Sequence, residues 1–146
     1  MTTFNSIVRK AKSEEGFSLI ELLVVVLIIG ILAAIAIPTF LQQQKSAKDG
    51  SAKSDLANGR IAIASYLTDQ GGTFPAGATT ATVTTAITTT SQYGFTSSSG
   101  DTMVVNTVAA GAATFCLAAT PTGGSGTWYV TDSVTTPTTT KPGGCA

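Results

Sequence analysis

The chain has 146 residues, with 8 basic against 8 acidic side chains, no histidine, 43% hydrophobic and only 11% charged residues, and a mean hydropathy of +0.32. This is one domain's worth of chain; zero formal charge removes the electrostatic term that dominates nucleic-acid affinity, and the apolar content is too high for a disordered polypeptide. Without histidine, the commonest general base, the commonest metal ligand and every Ser-His or Cys-His nucleophile pair are absent, so neither an enzyme nor a cofactor is expected.

The charges are unevenly spread. Residues 1–70 hold 13 of the 16, whereas residues 71–146 hold only Asp101, Asp132 and Lys141 but carry 22 of the 26 threonines and 11 of the 15 glycines. Two physical regimes meet near residue 70.

A short leader with Arg9, Lys10 and Lys12 precedes an apolar run. From Phe17 to Leu41 the only charge is Glu21, and from Leu22 to Ile37 every residue except Gly30 is Leu, Val, Ile or Ala. Extended back to Phe17, a helix here has about 20 residues, enough to cross a hydrocarbon layer of roughly 30 Å. One reading is a secretory signal peptide cut after Ala34-Ile35-Ala36, releasing a secreted domain that begins at Ile37. A second is a permanent membrane anchor. A third accounts for Glu21: a carboxylate in a bilayer helix costs about 2.5–3.5 kcal/mol at the centre and calls for a cationic partner. Cleavage between Gly16 and Phe17 would create an α-amino group four residues before Glu21, available within one helix or between packed copies.

The segment Glu15-Gly16-Phe17-Ser18-Leu19-Ile20-Glu21-Leu22-Leu23 resembles the class III prepilin motif of type IV pilins and pseudopilins. The acidic pair Glu14-Glu15 departs from the basic or neutral residues often found before the cut, and the resemblance covers about the first 55 residues. It implies that a membrane prepilin peptidase cuts after Gly16, that Phe17 is then N-methylated, and that Glu21 neutralises the amine of an adjacent subunit as copies leave the bilayer and enter a helical filament. Gly30 and Pro38 mark the stretch implied to bend or melt in the filament. The basic leader would stay cytoplasmic, the apolar helix cross the inner membrane once and the head lie outside it before the subunit joins an extracellular pilus.

Beyond Pro38 the helical pattern resumes. Leu41, Ala52, Leu56, Gly59, Ile63, Tyr66 and Leu67 fall on one stripe, with Lys48, Asp49, Lys53, Asp55 and Arg60 on the polar side or its margins. This predicts an amphipathic helix ending before Gly71-Gly72. Residues 71–146 then read as short strands, Thr82 to Thr88, Met103 to Val108, Thr114 to Ala119 and Thr127 to Asp132, divided by Gly- and Ser-rich turns. The expected class is α+β: a long N-terminal helix packed on a small antiparallel sheet, pilin-like. The segments are a leader over 1–16, a membrane and filament-core helix over 17–40, an amphipathic half over 41–70 and a sheet head over 71–146.

Cys116 and Cys145 both lie in the exported half. An even count in an oxidising compartment suggests one disulfide, stabilising by about 3–4 kcal/mol through loop closure; two free thiols or a two-Cys metal site are the alternatives. The resemblance implies that such a bridge brackets a surface-exposed region. Asp101 and Asp132 read as surface or turn residues, and the Thr135-Thr136-Pro137-Thr138-Thr139-Thr140 tract as a polar loop or a glycosylated one.

The leading functional expectation is a filament subunit serving adhesion, twitching motility or DNA uptake, with other copies, the peptidase, an assembly platform and a separate ATPase as partners. The chain itself has no GxxxxGK[ST] sequence. The alternative within the superfamily is a pseudopilin of a type II secretion system. The Asp-Pro-Trp-Gly segment that major pseudopilins typically carry is absent, Trp128 sitting in Gly126-Thr127-Trp128-Tyr129.

Overall fold

A computed structural model describes residues 16–89, 91–98, 100–143 and 145. The leader expected over 1–16 lies outside the described residues up to position 15. Helix α1 runs over Leu19–Asp69, helix α2 over Thr80–Thr89, a 3-10 turn over Ser91–Tyr93, and strands β1, β2 and β3 over Asp101–Val108, Phe115–Pro121 and Trp128–Thr131. Two compact units divide after Pro38. The class is α+β, a long N-terminal helix with a small antiparallel sheet.

In the first unit the residues of α1 are solvent-exposed on all sides, Ala33 alone being half-covered. α1 contains the described chain's one stretch long and apolar enough to cross a membrane. α1 is helical at Gly30 and at Pro38, the latter lying inside the helix.

In the second unit α1 ends on a glycine cap. Gly72 N–H donates to Leu67 O at 2.7 Å and Gly71 N–H to Thr68 O at 3.3 Å, with Gly71 at φ 81°, a left-handed conformation that glycine adopts without a Cβ clash. The sheet order is β1-β2-β3, both pairings antiparallel. The β1–β2 register slips between Val105 and Thr107, leaving Asn106 as a bulge. The core joins Leu56 and Ile63 of α1, Val83 and Ile87 of α2, Val105, Leu117 and Val130 of the strands, and Phe74 from the connection. Each of these side chains is essentially fully buried, and each contributes roughly 1.5–3 kcal/mol for its transfer out of water.

Three sequence expectations need correction. Thr82 to Thr88 is not a strand but the body of α2. Thr79 and Thr82 form a reciprocal capping pair, Thr82 N–H to Thr79 Oγ1 at 3.2 Å and Thr79 N–H to Thr82 Oγ1 at 2.9 Å, and Val83 and Ile87 stand one turn apart on the buried face. Cap and spacing override the β preference of the threonines, one of whose hydroxyls, Thr88 Oγ1, is satisfied by Thr84 O at 2.7 Å. Asp49 and Asp55, placed on the polar side of α1 or its margins, are buried, whereas Leu41, placed on the apolar stripe, is exposed. Asp101 opens β1 half-buried, and neither of its carboxylate oxygens has a hydrogen-bond partner.

Cys116 and Cys145 form a disulfide with a Cα separation of 5.4 Å, closing a loop across 29 positions. Cys116 is buried in the central strand, and the bridge ties the C-terminal segment to it.

Candidate functional site

The chemistry of the N-terminal segment starts at the first turn of α1. Ser18 stands immediately before the helix, its Oγ accepting the Glu21 backbone N–H at 3.2 Å and donating to Glu21 Oε2 at 3.5 Å, while Leu22 N–H reaches Ser18 O at 3.2 Å. This is an N-cap with an acid three residues on, satisfying free N–H groups and placing negative charge at the positive end of the helix dipole. Glu21 therefore has a local structural task besides any task between copies. Ser18 is not among the site residues read from sequence, although the Ser-x-x-Glu spacing before an apolar run is visible there.

Gly16 and Phe17 precede the helix with no regular structure, and Phe17 is 80% exposed. A Cβ at Gly16 would meet nothing within 4 Å. An accessible, irregular dipeptide at this point suits cleavage of the peptide bond, and only cleavage would turn the Phe17 amide into an amine. Beyond Glu21 the helix offers no polar side chain until Thr39, and its large side chains lie 46–70% exposed between Ile20 and Ile37. An apolar surface of this extent demands a bilayer or other apolar helices as its surroundings.

The second unit holds two clamps of one design on α1. Asp49 accepts the Ser125 backbone N–H at 2.8 Å on Oδ1 and the Ser125 hydroxyl at 2.6 Å on Oδ2. Asp55 accepts the Ser98 backbone N–H at 2.7 Å on Oδ2 and the Ser98 hydroxyl at 2.9 Å on Oδ1. The Ser125 hydrogen bonds, the hydroxyl's first, hold the Asp49 carboxyl below its usual value against the opposing effect of burial. The Trp128 indole N–H, which makes no hydrogen bond of good geometry, and the Lys53 ammonium add weaker pulls in the same direction. Lys53 Nζ itself lies 3.9 Å from the centre of the Trp128 ring. Among the described residues no three His, Cys, Asp or Glu side chains gather as a metal-binding group.

Residues 11–37 match the Prokaryotic N-terminal methylation motif. The chain is 60% identical over 42 residues to the Type IV major pilin protein PilA of Myxococcus xanthus, covering 29% of this chain and 19% of that one. It is 41% identical over 51 residues to the Type IV major alpha-pilin of Moraxella bovis, covering 35% and 32%. It is also 40% identical over 58 residues to the Type II secretion system core protein G of Pseudomonas aeruginosa, covering 40% and 41%. The matches thus span between about a fifth and two fifths of the length of these relatives. No solved structure matches the chain. The segment around Gly16, with the apolar helix that follows it, thus matches the methylation motif and is similar to the N-terminal segments of type IV major pilins and of a type II secretion core protein.

Proposed function

We propose that the chain is a structural subunit of a type IV pilus, cut between Gly16 and Phe17 by a prepilin peptidase, N-methylated at Phe17 and polymerised through α1. The observation that carries this reading is the exposed apolar stretch of α1 before Pro38, with a single carboxylate at its start. Before assembly the helix rests in the inner membrane with the leader cytoplasmic. In the filament it is buried among the α1 helices of other copies, with Glu21 against the Phe17 amine of a neighbour. Gly30 is a weak helix former with open space where a Cβ would stand, and Pro38 cannot donate to the helical ladder, so this stretch is where α1 bends or melts on assembly. An assembly platform and its ATPase act on the subunit from outside it, and the surface fibre serves adhesion, twitching motility or DNA uptake.

Mass analysis of the mature N-terminus tests the processing. A start at methyl-Phe17 supports it, whereas a start at Ile37 identifies a conventionally secreted domain instead. The similarity to the secretion system core protein favours a second reading, a pseudopilin that works as a short piston for protein export. Sheared surface fibres containing this chain favour the pilus; its absence from such fibres, together with secretion genes beside its own, favours the pseudopilus.

A further inference from the structure

The open edge of the sheet is covered by the chain's own C-terminal segment. β3 pairs with β2 along one side only, and its amides at Tyr129 and Thr131 have their partners on the other. Tyr129 N–H donates to Thr138 O at 2.8 Å, Thr138 N–H returns a bond to Tyr129 O at 3.1 Å, and Thr131 N–H donates to Val134 O at 3.0 Å. Val134 N–H in turn reaches Thr131 Oγ1 at 2.8 Å. Residues 134–138 thus occupy the position a fourth strand would take. A short segment containing Pro137, exposed over 134–136 and half-buried at Pro137 and Thr138, makes a poor strand by itself, because proline supplies no donor and only the one bridge at Thr138 is regular. Besides these hydrogen bonds one covalent tie holds it: seven residues after Thr138, Cys145 is bonded to Cys116 in the centre of the sheet.

We infer that the Cys116–Cys145 disulfide is a redox-sensitive strap that keeps residues 134–138 over the β3 edge, and that its reduction uncovers an edge able to pair with a second copy of this chain. In the reduction, two electrons and two protons pass from a dithiol reductant to the bridge. The S–S bond breaks, Cys116 and Cys145 become thiols, and the reductant closes to its own disulfide. The segment then loses its covalent tie at the far end and keeps only the Thr131–Val134 turn and the Tyr129–Thr138 bridge, while the β1-β2-β3 ladder retains all its own bonds. An uncovered β3 presents the Tyr129 and Thr131 amides as a template for strand addition, and the matching segment of a second copy carries the same sequence as the one released. The strap lies entirely within the second unit and is independent of whether the chain enters a filament.

Amide hydrogen exchange on the full chain in detergent micelles, oxidised and after treatment with dithiothreitol, reads the strap directly. Expected is faster exchange at Tyr129 and Thr131 by about a hundredfold, with Val130 and Leu117 still protected. At higher protein concentration the reduced chain should form dimers that recover protection at those two amides, and reoxidation of dilute protein should restore the monomer. Unchanged exchange at Tyr129 and Thr131 would show that the segment holds without its bridge and overturns the inference. Loss of protection at Val130 and Leu117 as well would make the bridge a general support of the fold and overturn it equally. A reduced chain that loses protection at the edge but stays monomeric at every concentration rejects the pairing with a second copy. A Cys145→Ser variant, which leaves the buried Cys116 in place, should behave as the reduced chain without any reductant.

Discussion

Asp49 on α1 takes both polar hydrogens of one residue 76 positions away, the amide and the hydroxyl of Ser125. The β2–β3 turn is thereby fixed to the helix by a carboxylate whose two oxygens are both used. Asp55 does the same for Ser98 in the segment that leads into β1. The two aspartates are six residues apart along α1, and each holds one loop of the second unit at the boundary of its core. A buried carboxylate is costly unless its acceptor sites are filled, and charge-assisted bonds of this kind contribute about 1.5–3 kcal/mol each.

The Asp49 clamp should make the second unit sensitive to acid. Its carboxyl lies below the ordinary value in the folded chain, so the stabilisation is fully present above the unfolded carboxyl value, about 3.9, and is lost as pH falls through the lower folded value. Trp128 emission should follow this, because its ring packs under Lys53 beside the clamp. We expect the thermal midpoint of the full chain to fall below about pH 4, and the Asp49→Asn variant to start lower and lose less over the same range. An identical acid slope in the Asp49→Asn variant and the unaltered chain would remove this carboxylate from the account.

The turn that Asp49 holds admits no side chain at Gly124. A Cβ there would overlap Pro121 Cγ and sit 2.6 Å from Asp49 Oδ1. Gly124→Ala should therefore destabilise by about 1–3 kcal/mol, the range for overpacking, although glycine is ordinarily the less favourable residue on entropic grounds. Denaturant unfolding checks this, and a neutral or stabilising result would mean that the turn can relax away from α1.

Gly59 offers a graded version of the same experiment. Its Cβ would lie 2.8 Å from Met103 Sδ and 3.3 Å from Leu117 Cδ1, the first being the flexible part of a long side chain. Gly59→Ala gains about 1 kcal/mol of helix propensity and loses a similar amount to displacement of Met103, leaving stability nearly unchanged. Gly59→Leu has no such outlet and should cost about 1–3 kcal/mol. If both variants unfold at the same denaturant concentration as the parent, α1 and the sheet are less closely packed than the distances imply.

Much of this arrangement is legible in the sequence because it rests on periodicity and punctuation. Leu56, Ile63 and Leu67 repeat at helical spacing, Gly71-Gly72 stops the helix, and the Val-containing runs around Val105 and Val130 are strands bounded by glycine turns. The aspartate clamps are not legible. A charged residue in an amphipathic helix reads as solvated, and only the fold brings Ser98 and Ser125 to Asp55 and Asp49. Helix α2 reads as a strand because its composition favours one, while its helical signal, a Thr79–Thr82 cap followed by Val83 and Ile87, is carried by residues with weak individual preferences.

At the start of α1, the Ser18–Glu21 contact allows the capping task of this carboxylate to be separated from the assembly task proposed for it. Glu21→Gln keeps an acceptor at the third helical position, so the capping arrangement survives, but it removes the charge that would neutralise a neighbouring amine. Ser18→Ala does the reverse, weakening the helix start by about 1 kcal/mol while leaving the charge in place. If the charge governs assembly, Glu21→Gln should be cleaved normally yet yield few filaments, with Ser18→Ala closer to the parent. If the cap governs, Ser18→Ala should be the more defective, with frayed amides at Glu21 and Leu22 by hydrogen exchange. Filament yield from sheared cells, measured beside the amount of cleaved subunit in the membrane, distinguishes the two, and normal yield from both variants would remove Glu21 from assembly altogether.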